Sequence, residues 1–346
     1  MHIGPIELSN NLFVAPMAGV TDRPFRQLCR RLGAGYAVSE MVTSKRELWG
    51  SLKTSRRANH EGESAPIAVQ IAGVDPAEMA DAARYNIDRG ARVIDINMGC
   101  PAKKVCNVFA GSALMSNAPL AQRIVQAVVA ACQPHGVPVT LKIRTGRNEH
   151  ERNAVALAQA AEASGIAMVT VHGRTREQGF LGLAEYDTIA AVKAALRIPV
   201  VANGDIHSAA KALAVLRHTG ADALMIGRAA QGRPWIFREI AHELATGRPL
   251  APPATADVRR WLLGHLNDHY ALHGEDSGVR SARKHIGWAV RSLPGGEAFR
   301  AMMNTLDSCD AQVAAVATWF DELGDRHLLL PSNTSAANDD ALEIAA

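Results

Sequence analysis

The feature that most constrains this chain is a series of short apolar runs, rich in β-branched residues, through its first 230 residues. Each run has the length of a strand and little polar alternation, which is typical of strands buried on both faces of a parallel sheet. Eight such runs, separated by helical segments, favour a closed α/β barrel, the (β/α)8 or TIM barrel. An open doubly wound sheet is the alternative. The runs are residues 12–17, 36–41, 66–73, 92–99, 137–146, 167–175, 198–205 and 221–230.

Alanine-rich segments with helical spacing lie between most of these runs. In residues 76–91, Asp75 is a candidate N-cap, Pro76 lies in the first turn and Gly90 marks the exit. Residues 151–166 and 207–221 follow the same pattern. The alternation of strands and helices therefore continues along the first two thirds of the chain.

A stretch rich in Pro, Gly and Thr, residues 245–257, ends this alternation. Amphipathic helical segments follow, at residues 258–274, 279–293 and 310–324. The end of the chain is polar, which is typical of disorder. We therefore predict a barrel over residues 1–247, a small helical domain over 248–328 and a disordered tail over 329–346.

Charge and cysteine content exclude few classes of protein. The net charge of +3 neither demands nor excludes an anionic partner. The five cysteines form no C-x-x-C pair, which argues against a disulfide framework or a cysteine-based zinc site, and we expect no metal. No run approaches the roughly 18 apolar residues of a membrane span, and the first residues lack a signal-peptide pattern. We expect a cytoplasmic protein without a membrane partner; the sequence has no sharp oligomeric signal, and a monomer is the expectation.

Polar, charged or glycine residues stand at the carboxyl end of nearly every run. Chemistry in such barrels gathers at this end of the strands. The seventh and eighth runs end in NGD and IGRAA, where glycine backbone and Arg228 suit a phosphate. The full set is Pro16 to Ala18, Glu40, Gln70, Asn97 to Cys100, Lys142, Arg144, His172, Arg174, Asn203 to Asp205, Gly227 and Arg228.

Each of these residues also has a simpler interpretation. Lys142 faces inward if its strand alternates, and a buried lysine needs an acceptor, which an internal ion pair would supply. His172 can donate to a phosphate or be a satisfied core histidine. Gln70 can bond the edge of a planar heterocycle or cap a strand, and Gly204 and Gly227 can simply permit turns.

Several segments together resemble the tRNA-dihydrouridine synthases, and most closely the bacterial B-type branch of that family. The resemblance covers about residues 1–325, and its pieces occur in the family's order. The segments are APMAGVTDRPFR (15–26), VQIAG (69–73), DINMGCPAKKV (95–105), GSALM (111–115), LKIRTG (141–146), HGRTR (172–176), VVANGDI (200–206), DALMIGRAAQGRPWIF (222–237) and ARKHIGW (282–288).

The resemblance implies a barrel that binds FMN and a helical domain that binds tRNA. It implies reduction of the C5–C6 double bond of a D-loop uridine, at position 17 for the B-type branch, with NADPH as reductant. The residues carried over are Pro16, Met17 and Ala18 at the flavin ring, Gln70 at its pyrimidine edge, Lys142 at N1 and O2, His172, Asn203, Gly204, Asp205, Gly227 and Arg228 on the phosphate side, Asn97 at the uracil and Cys100 as the catalytic acid.

The position of Cys100 suits a proton donor. A free thiol has a pKa of about 8.5 and is mostly protonated at pH 7. The alternative is a small buried hydrophobe. Lys103 and Lys104 would lower the thiol pKa if they lay beside it, so we expect them to face RNA phosphates. Cys106 is a second nearby thiol for which the sequence indicates no required role.

Basic residues cluster in two segments, 44–57 and 277–300. Lysine and arginine at phosphates supply affinity that depends on salt and not on sequence. With Lys104, we predict Arg280, Arg283 and Lys284 as tRNA-binding residues. Ordinary solvated helix faces are the alternative.

Three other functions remain open at this point. A flavin-dependent reductase of small pyrimidines, related to dihydroorotate dehydrogenases, would share the flavin site. A Schiff-base aldolase would use Lys142 and need no flavin. An RNA chaperone would bind tRNA and leave the uridine unchanged.

Overall fold

The computed structural model describes residues 1–106 and 110–331, without the side chains of Lys103 and Lys104. An antiparallel hairpin, β1 (His2–Ile3) and β2 (Ile6–Glu7), precedes a sheet of parallel strands. The strands of that sheet are β3 (Leu12–Val14), β4 (Tyr36–Ala37), β5 (Val42–Thr43), β6 (Ala68–Ala72), β7 (Val93–Met98), β8 (Val139–Arg144), β9 (Met168–His172), β10 (Val200–Asn203) and β11 (Ala223–Ile226).

The parallel strands confirm the predicted barrel. Their order is β4-β3-β11-β10-β9-β8-β7-β6-β5. A bridge between Val38, directly after β4, and Ala68 of β6 joins the two sides of the sheet, with the Ser39 amide donating to the Ala68 carbonyl. The second predicted run, 36–41, is a strand only over its first two residues, β4, and a separate short strand, β5, begins directly after the run. β4 pairs with β3, and β5 pairs with β6.

Helices follow the strands, as the alternation predicts. The predicted segment 76–91 is a helix over Pro76–Asp88, and the Asp75 side chain accepts from the amides of Ala77 and Glu78. The helices are α1 (Arg23–Arg31), α2 (Leu52–Arg57), α3 (Pro76–Asp88), α4 (Lys103–Cys106), α5 (Ala118–Cys132), α6 (Ala154–Ala163), α7 (Asp187–Ala195), α8 (Ala209–Thr219), α9 (Ile236–Thr246), α10 (Thr255–Val290), α11 (Gly296–Met303) and α12 (Cys309–Arg326), with 3-10 turns at Arg46–Leu48, Gly111–Ser116, Gln133–His135 and Arg228–Ala230.

The inside of the barrel changes from apolar to polar along the strands. At the amino end, Phe13, Tyr36, Met168 and Met225 form a buried cluster beneath the carboxyl end. Side chains on one face of a strand recur every second residue. In β6 to β10, the inward positions two and four residues after this apolar cluster carry polar side chains. They are Gln70, Asp95, Asn97, Thr140, Lys142, Arg144, His172 and Asn203, all at most 9% exposed. The polar layer lies at the end where barrel enzymes place their chemistry.

The helical region packs on its own apolar cluster. Its longest helix, α10, contains a break at Gly274, whose φ of 73° and ψ of 175° are not helical. The two arms of α10 pack with α11, α12 and the barrel residues Leu28, Leu32 and Trp235. The division into two domains at residue 247 stays a prediction.

Two residues of the predicted tail, Leu329 and Leu330, pair with the chain before α10. Leu329 forms a bridge with Ala254, and the Leu330 amide donates to the Pro253 carbonyl. Both residues are therefore fixed to the helical region by backbone hydrogen bonds, which composition could not show. Residues 332–346 lie outside the described part of the chain. Among the described helices, no stretch is long and apolar enough to cross a membrane.

Candidate active site

Lys142 lies at the centre of the polar layer. Its Nζ donates to Asn203 Oδ1 at 2.9 Å, and Asn203 Nδ2 donates to the Met225 carbonyl at 2.8 Å. Burial, reinforced by the nearby Arg144 guanidinium, lowers the pKa of Lys142 to about 8. Asn203 is its hydrogen-bond acceptor among the described residues, so the internal ion pair considered from the sequence is not what holds it. An ammonium group with two further donors can therefore meet an electron-rich ligand atom.

Gln70 and Asn97 are joined to each other. Asn97 Nδ2 donates to Gln70 Oε1 at 2.7 Å, and Gln70 Nε2 donates to Asp95 Oδ2 at 2.7 Å. Thr140 Oγ1 donates to the other carboxylate oxygen of Asp95 at 2.6 Å. Burial raises the pKa of Asp95, although these two hydrogen bonds oppose it. The residues predicted for flavin and for uracil thus belong to one network.

The same network holds the turn that carries Cys100. Asn97 Oδ1 accepts from the amides of Cys100 at 3.1 Å and Gly99 at 3.3 Å. Arg144 Nε donates to the Gly99 carbonyl at 2.7 Å. Gly111, with φ of 62°, passes so close that a Cβ there would lie 2.6 Å from the Cys100 carbonyl oxygen. Contacts from the strands β7 and β8 and from the 3-10 turn at Gly111–Ser116 therefore fix the backbone around Cys100.

The thiol of Cys100 is held in its protonated form. Burial raises its pKa above the ordinary value of a cysteine, and this effect outweighs the lowering by Arg144 and Lys142. The side chain is only partly buried, so it is accessible to a ligand. The side chains of Lys103 and Lys104 lie outside the described residues, and their predicted orientation stays a prediction. Cys106 Sγ lies 3.5 Å from the Cys100 carbonyl oxygen and contacts the turn, not the thiol.

Asp205, just after β10, holds two arginine side chains at the carboxyl end of the barrel. It has a positive φ of 48°, a conformation that costs about 1–3 kcal/mol in a residue with a side chain. Its carboxylate accepts from Arg174 at 2.7 Å, Arg228 at 3.0 Å and the Ala184 amide at 2.7 Å. A carboxylate repels phosphate, so this geometry favours a role for Asp205 in positioning the two guanidinium groups.

His172 and Gly204 lie at the same end of the barrel. Burial, together with the neighbouring cations, holds the pKa of His172 well below its usual value, so its imidazole is neutral and can donate one hydrogen bond. Gly204 has φ of 126°, and a Cβ there would lie 2.7 Å from Ala184 Cβ. Gly204 is buried, and a residue with a side chain would fit neither its positive φ nor the space beside Ala184.

The segment after β3 contributes a further part of the site. Pro16 and Met17 are half-buried and Ala18 is exposed. Met17 Sδ accepts from Gln231 Nε2 at 3.7 Å, and a Cβ at Gly227 would lie 3.5 Å from the same sulfur. The structure therefore brings the segment Pro16–Met17–Ala18 beside Gly227, as expected for one cofactor site.

These residues fit a flavin mononucleotide. A planar, electron-rich ring suits the ammonium of Lys142 and the apolar Met17, and a phosphate suits Arg228 and the neutral His172. The donor set therefore matches the ring at one end and the phosphate at the other.

Several participants in this arrangement, Asp95 and Thr140 among them, had no assigned role from the sequence. Arg144 and Arg174 were recognised only as strand-end residues. Phe180, on the loop after β9, is 44% exposed, and its ring centroid lies 5.4 Å from the Arg144 guanidinium and 5.8 Å from that of Arg228. Inward alternation along β7 and β8 could have indicated Asp95 and Arg144; no local pattern indicates Phe180.

The predicted tRNA-binding residues differ in accessibility. Arg280 is exposed. Arg283 is half-buried and donates to the Leu306 carbonyl at 3.1 Å, and Lys284 Nζ donates to the Gly19 carbonyl of the barrel. Of these three, Arg280 therefore has the side chain most available to a polyanion, and the other two also stabilise the fold.

Comparison with known proteins gives one family. The model of the dihydrouridine synthase family matches residues 13–323. A tRNA-dihydrouridine synthase B of Xanthomonas axonopodis pv. citri is 58% identical over 323 residues, 93% of this chain and 96% of the relative. The protein of the same name in Pseudomonas aeruginosa is 57% identical over 322 residues, again 93% of this chain and 96% of the relative.

Solved structures are similar in fold at much lower identity. Histamine dehydrogenase of a Rhizobium species has a TM-score of 0.52 and 13% identity, covering 77% of this chain and 50% of that one. A variant of NCR from Zymomonas mobilis has a TM-score of 0.52 and 17% identity, covering 70% of this chain and 90% of that one. These likenesses support the barrel alone.

Proposed function

Because the chain belongs to the dihydrouridine synthase family, with B-type relatives over nearly its whole length, we propose that it reduces the C5–C6 double bond of the D-loop uridine at position 17 of tRNA. FMN is the proposed cofactor and NADPH the proposed reductant. One observation carries the proposal beyond the family: Asn97 joins the Cys100 turn to Gln70. A proton donor and a flavin-binding amide are thereby held at a fixed spacing.

The residues that hold FMN follow from the polar layer. Lys142 would meet the electron-rich N1 and O2 edge, Gln70 the pyrimidine edge, and Met17 a face of the ring. Arg228, His172 and the backbone at Asn203, Gly204 and Gly227 would hold the phosphate, while Asp205 keeps Arg174 and Arg228 in place. When bound, FMN supplies the hydride to C6 of the uracil and is recharged by NADPH.

Cys100 completes the reduction. Hydride at C6 leaves an electron pair, and negative charge, on the C5 side of the uracil. The Cys100 thiol gives its proton to C5, so that the S–H bond breaks, a C5–H bond forms and a thiolate remains, which solvent reprotonates. The raised pKa of the thiol keeps that proton available. Asn97 and Arg144 orient the turn, and neither transfers a proton in this scheme.

The tRNA must deliver an unstacked base to this mouth. A base inside a stack cannot meet a flavin at the floor of a barrel, so the target uridine is flipped out. The helical region offers the exposed Arg280 to phosphates, which would position the tRNA without reading its sequence. The predicted contact of Lys104 lies outside the described side chains.

Replacing Arg280 by glutamate is expected to weaken tRNA binding about tenfold at moderate salt, because a phosphate contact is lost and a repulsive charge is gained. Filter binding over a salt series measures the effect. The slope of the logarithm of the binding constant against the logarithm of the salt concentration should become shallower by about one, which corresponds to one phosphate contact. The matched control is Arg217→Glu, at an exposed position on α8 of the barrel. Equal affinity in the two variants would remove this surface from the proposal.

The rate of flavin reduction by NADPH is expected to fall as the pH rises through about 8, the pKa of Lys142. Lys142 is charged below that pH and neutral above it, whereas the raised pKa of Cys100 sets no limit in this range. Stopped-flow measurements across the range give the profile. Lys142→Arg, which stays charged, should abolish the decline; a wild-type profile that is flat through pH 8 would contradict the assignment.

The direct test of function uses tRNA from a strain that lacks its own dihydrouridine synthases. The purified protein is incubated with this tRNA and NADPH, and dihydrouridine is mapped by mass spectrometry. Dihydrouridine at position 17 is the expected result. Modification at another D-loop position would keep the reaction and refute the site, and NADPH oxidation without dihydrouridine would refute the substrate.

A further inference from the structure

Four histidines meet where the barrel contacts the helical region. His265, His269 and His273 lie on the first arm of α10, and His285 lies on the second arm. Asp22, the N-cap of α1, faces them from the barrel: its Oδ2 lies 3.2 Å from His269 Nδ1 and 2.8 Å from His273 Nε2. This junction takes no part in the site described above.

Two of these histidines are buried without hydrogen-bond partners. His265 is 2% exposed and His285 is 3% exposed. Among the described residues, three ring nitrogens have no hydrogen-bond partner: both nitrogens of His265 and the Nε2 of His285. The backbone of Pro24 lies beside His265 but forms no hydrogen bond of normal geometry with it. Buried polar groups in folded proteins nearly always have a hydrogen-bond partner or a ligand, so these nitrogens point to a bound ligand.

The state of the rings suits a metal ion. Burial lowers the pKa of His265 to about 4 and holds that of His285 well below its usual value. Both imidazoles are therefore neutral at pH 7, which is the form that coordinates metals.

The spacing of the rings matches tetrahedral coordination. The ligand nitrogens of His265, His269 and His285 all lie within 4.8 Å of one another. Their ring centroids are 4.9, 5.3 and 5.9 Å apart. Three imidazoles around a tetrahedral Zn²⁺, with Zn–N distances of about 2.0–2.1 Å, place their ring centres about 5 Å apart. Small rotations of the rings would bring the nitrogens to one ion.

Asp22 supplies the outer partner that metal-binding histidines usually have. A ligating histidine commonly donates its other N–H to a carboxylate, which fixes the tautomer. His269 Nδ1 faces Asp22 Oδ2, and its Nε2, 2.7 Å from Ser281 Oγ, can exchange that contact for a metal. A cavity of about 30 Å³ beside His265 and His285 has room for a water as fourth ligand.

We propose that His265, His269 and His285 form a structural site for a divalent transition-metal ion, with Zn²⁺ as the ion that three neutral imidazoles and a water suit best. Asp22 orients His269 from the barrel, so the metal links the barrel to the helical region. Cysteine spacing, on which the expectation of no metal rested, does not bear on histidines. A second set, Asp22, His269 and His273, is also close, but its carboxylate already receives two imidazoles.

The test is the metal content of protein made without a histidine tag. The protein is stripped with a chelator, dialysed against ZnSO₄ and then buffer, and assayed by elemental analysis, which depends on neither flavin nor tRNA. One zinc per chain is expected in the wild type and in His273→Gln, and less than a tenth of that in His285→Gln. Zinc should also raise the wild-type Tm by roughly 3–6 °C and leave that of His285→Gln unchanged.

Two results would overturn the proposal. One is wild-type protein that retains no stoichiometric zinc, which means that water fills the cavity. The other is loss of zinc in His273→Gln with retention in His285→Gln, which places the ion on the second set. If His285→Gln does not fold, the visible spectrum of wild-type protein loaded with Co²⁺ provides the test instead. The intense visible absorption of a tetrahedral Co²⁺ site would support the proposal, and its absence would refute it.

Discussion

Replacing Cys100 by alanine is expected to slow tRNA reduction about 10²–10⁴-fold, the range typical of a lost general acid. The proton for C5 must then come from a water molecule in place of the thiol. FMN content and its reduction by NADPH should stay at wild-type levels, because in this scheme the thiol acts only in the later proton transfer to C5. Single-turnover reduction of tRNA by the prereduced enzyme measures the step directly.

Cys106→Ala is the matched control for this experiment. Its thiol lies on the same loop and contacts the Cys100 carbonyl, not the reacting face. Activity within about twofold of the wild type is expected. A Cys100 variant that loses flavin reduction to the same degree as tRNA reduction would place the cysteine in the other half-reaction.

Replacing Lys142 by methionine is expected to slow flavin reduction about 10²–10³-fold, the usual cost of removing one preorganised charge or donor. Methionine fills similar space, but it leaves the developing negative charge of the ring without a cation and Asn203 Oδ1 without its donor. Stopped-flow reduction of FMN-saturated protein separates the rate from the affinity for FMN.

Lys211→Met is the control for that change. Lys211 lies on α8, one of the helices that surround the strands of the barrel, with its Nζ 4.8 Å from the Tyr186 ring centroid. Its loss should leave the rate of flavin reduction unchanged. Normal reduction rates in Lys142→Met would show that Lys142 serves only the hydrogen bond to Asn203.

The barrel was predictable because its pattern is local. Strands buried on both faces and capped helices leave signals within ten or fifteen residues, as at Asp75 and Pro76. The second run, 36–41, is only partly a strand, and no such signal marked where its strand ends. The extent of β4 and the start of β5 depend on pairing with β3 on one side and β6 on the other, which no short window contains.

The sequence could indicate candidate site residues but not the contacts between them. Strand-end position and family resemblance together pointed to Gln70, Asn97 and Lys142 as candidates. The hydrogen bond between Asn97 and Gln70 joins residues 27 positions apart, and that between Lys142 and Asn203 joins residues 61 apart. Such pairs depend on strand register, which follows from the closed barrel as a whole.

The network beneath the mouth has a consequence for how this chain can vary. Gln70, Asp95, Asn97 and Thr140 belong to three strands, and each satisfies a buried polar atom of a neighbour. A single replacement at Gln70 leaves Asn97 Nδ2 without its acceptor and Asp95 Oδ2 without its amide donor, and each loss costs about 1–3 kcal/mol. We therefore expect tolerated substitutions in this layer to occur in pairs on adjacent strands. The effects of the two substitutions on the free energy of unfolding should not be additive.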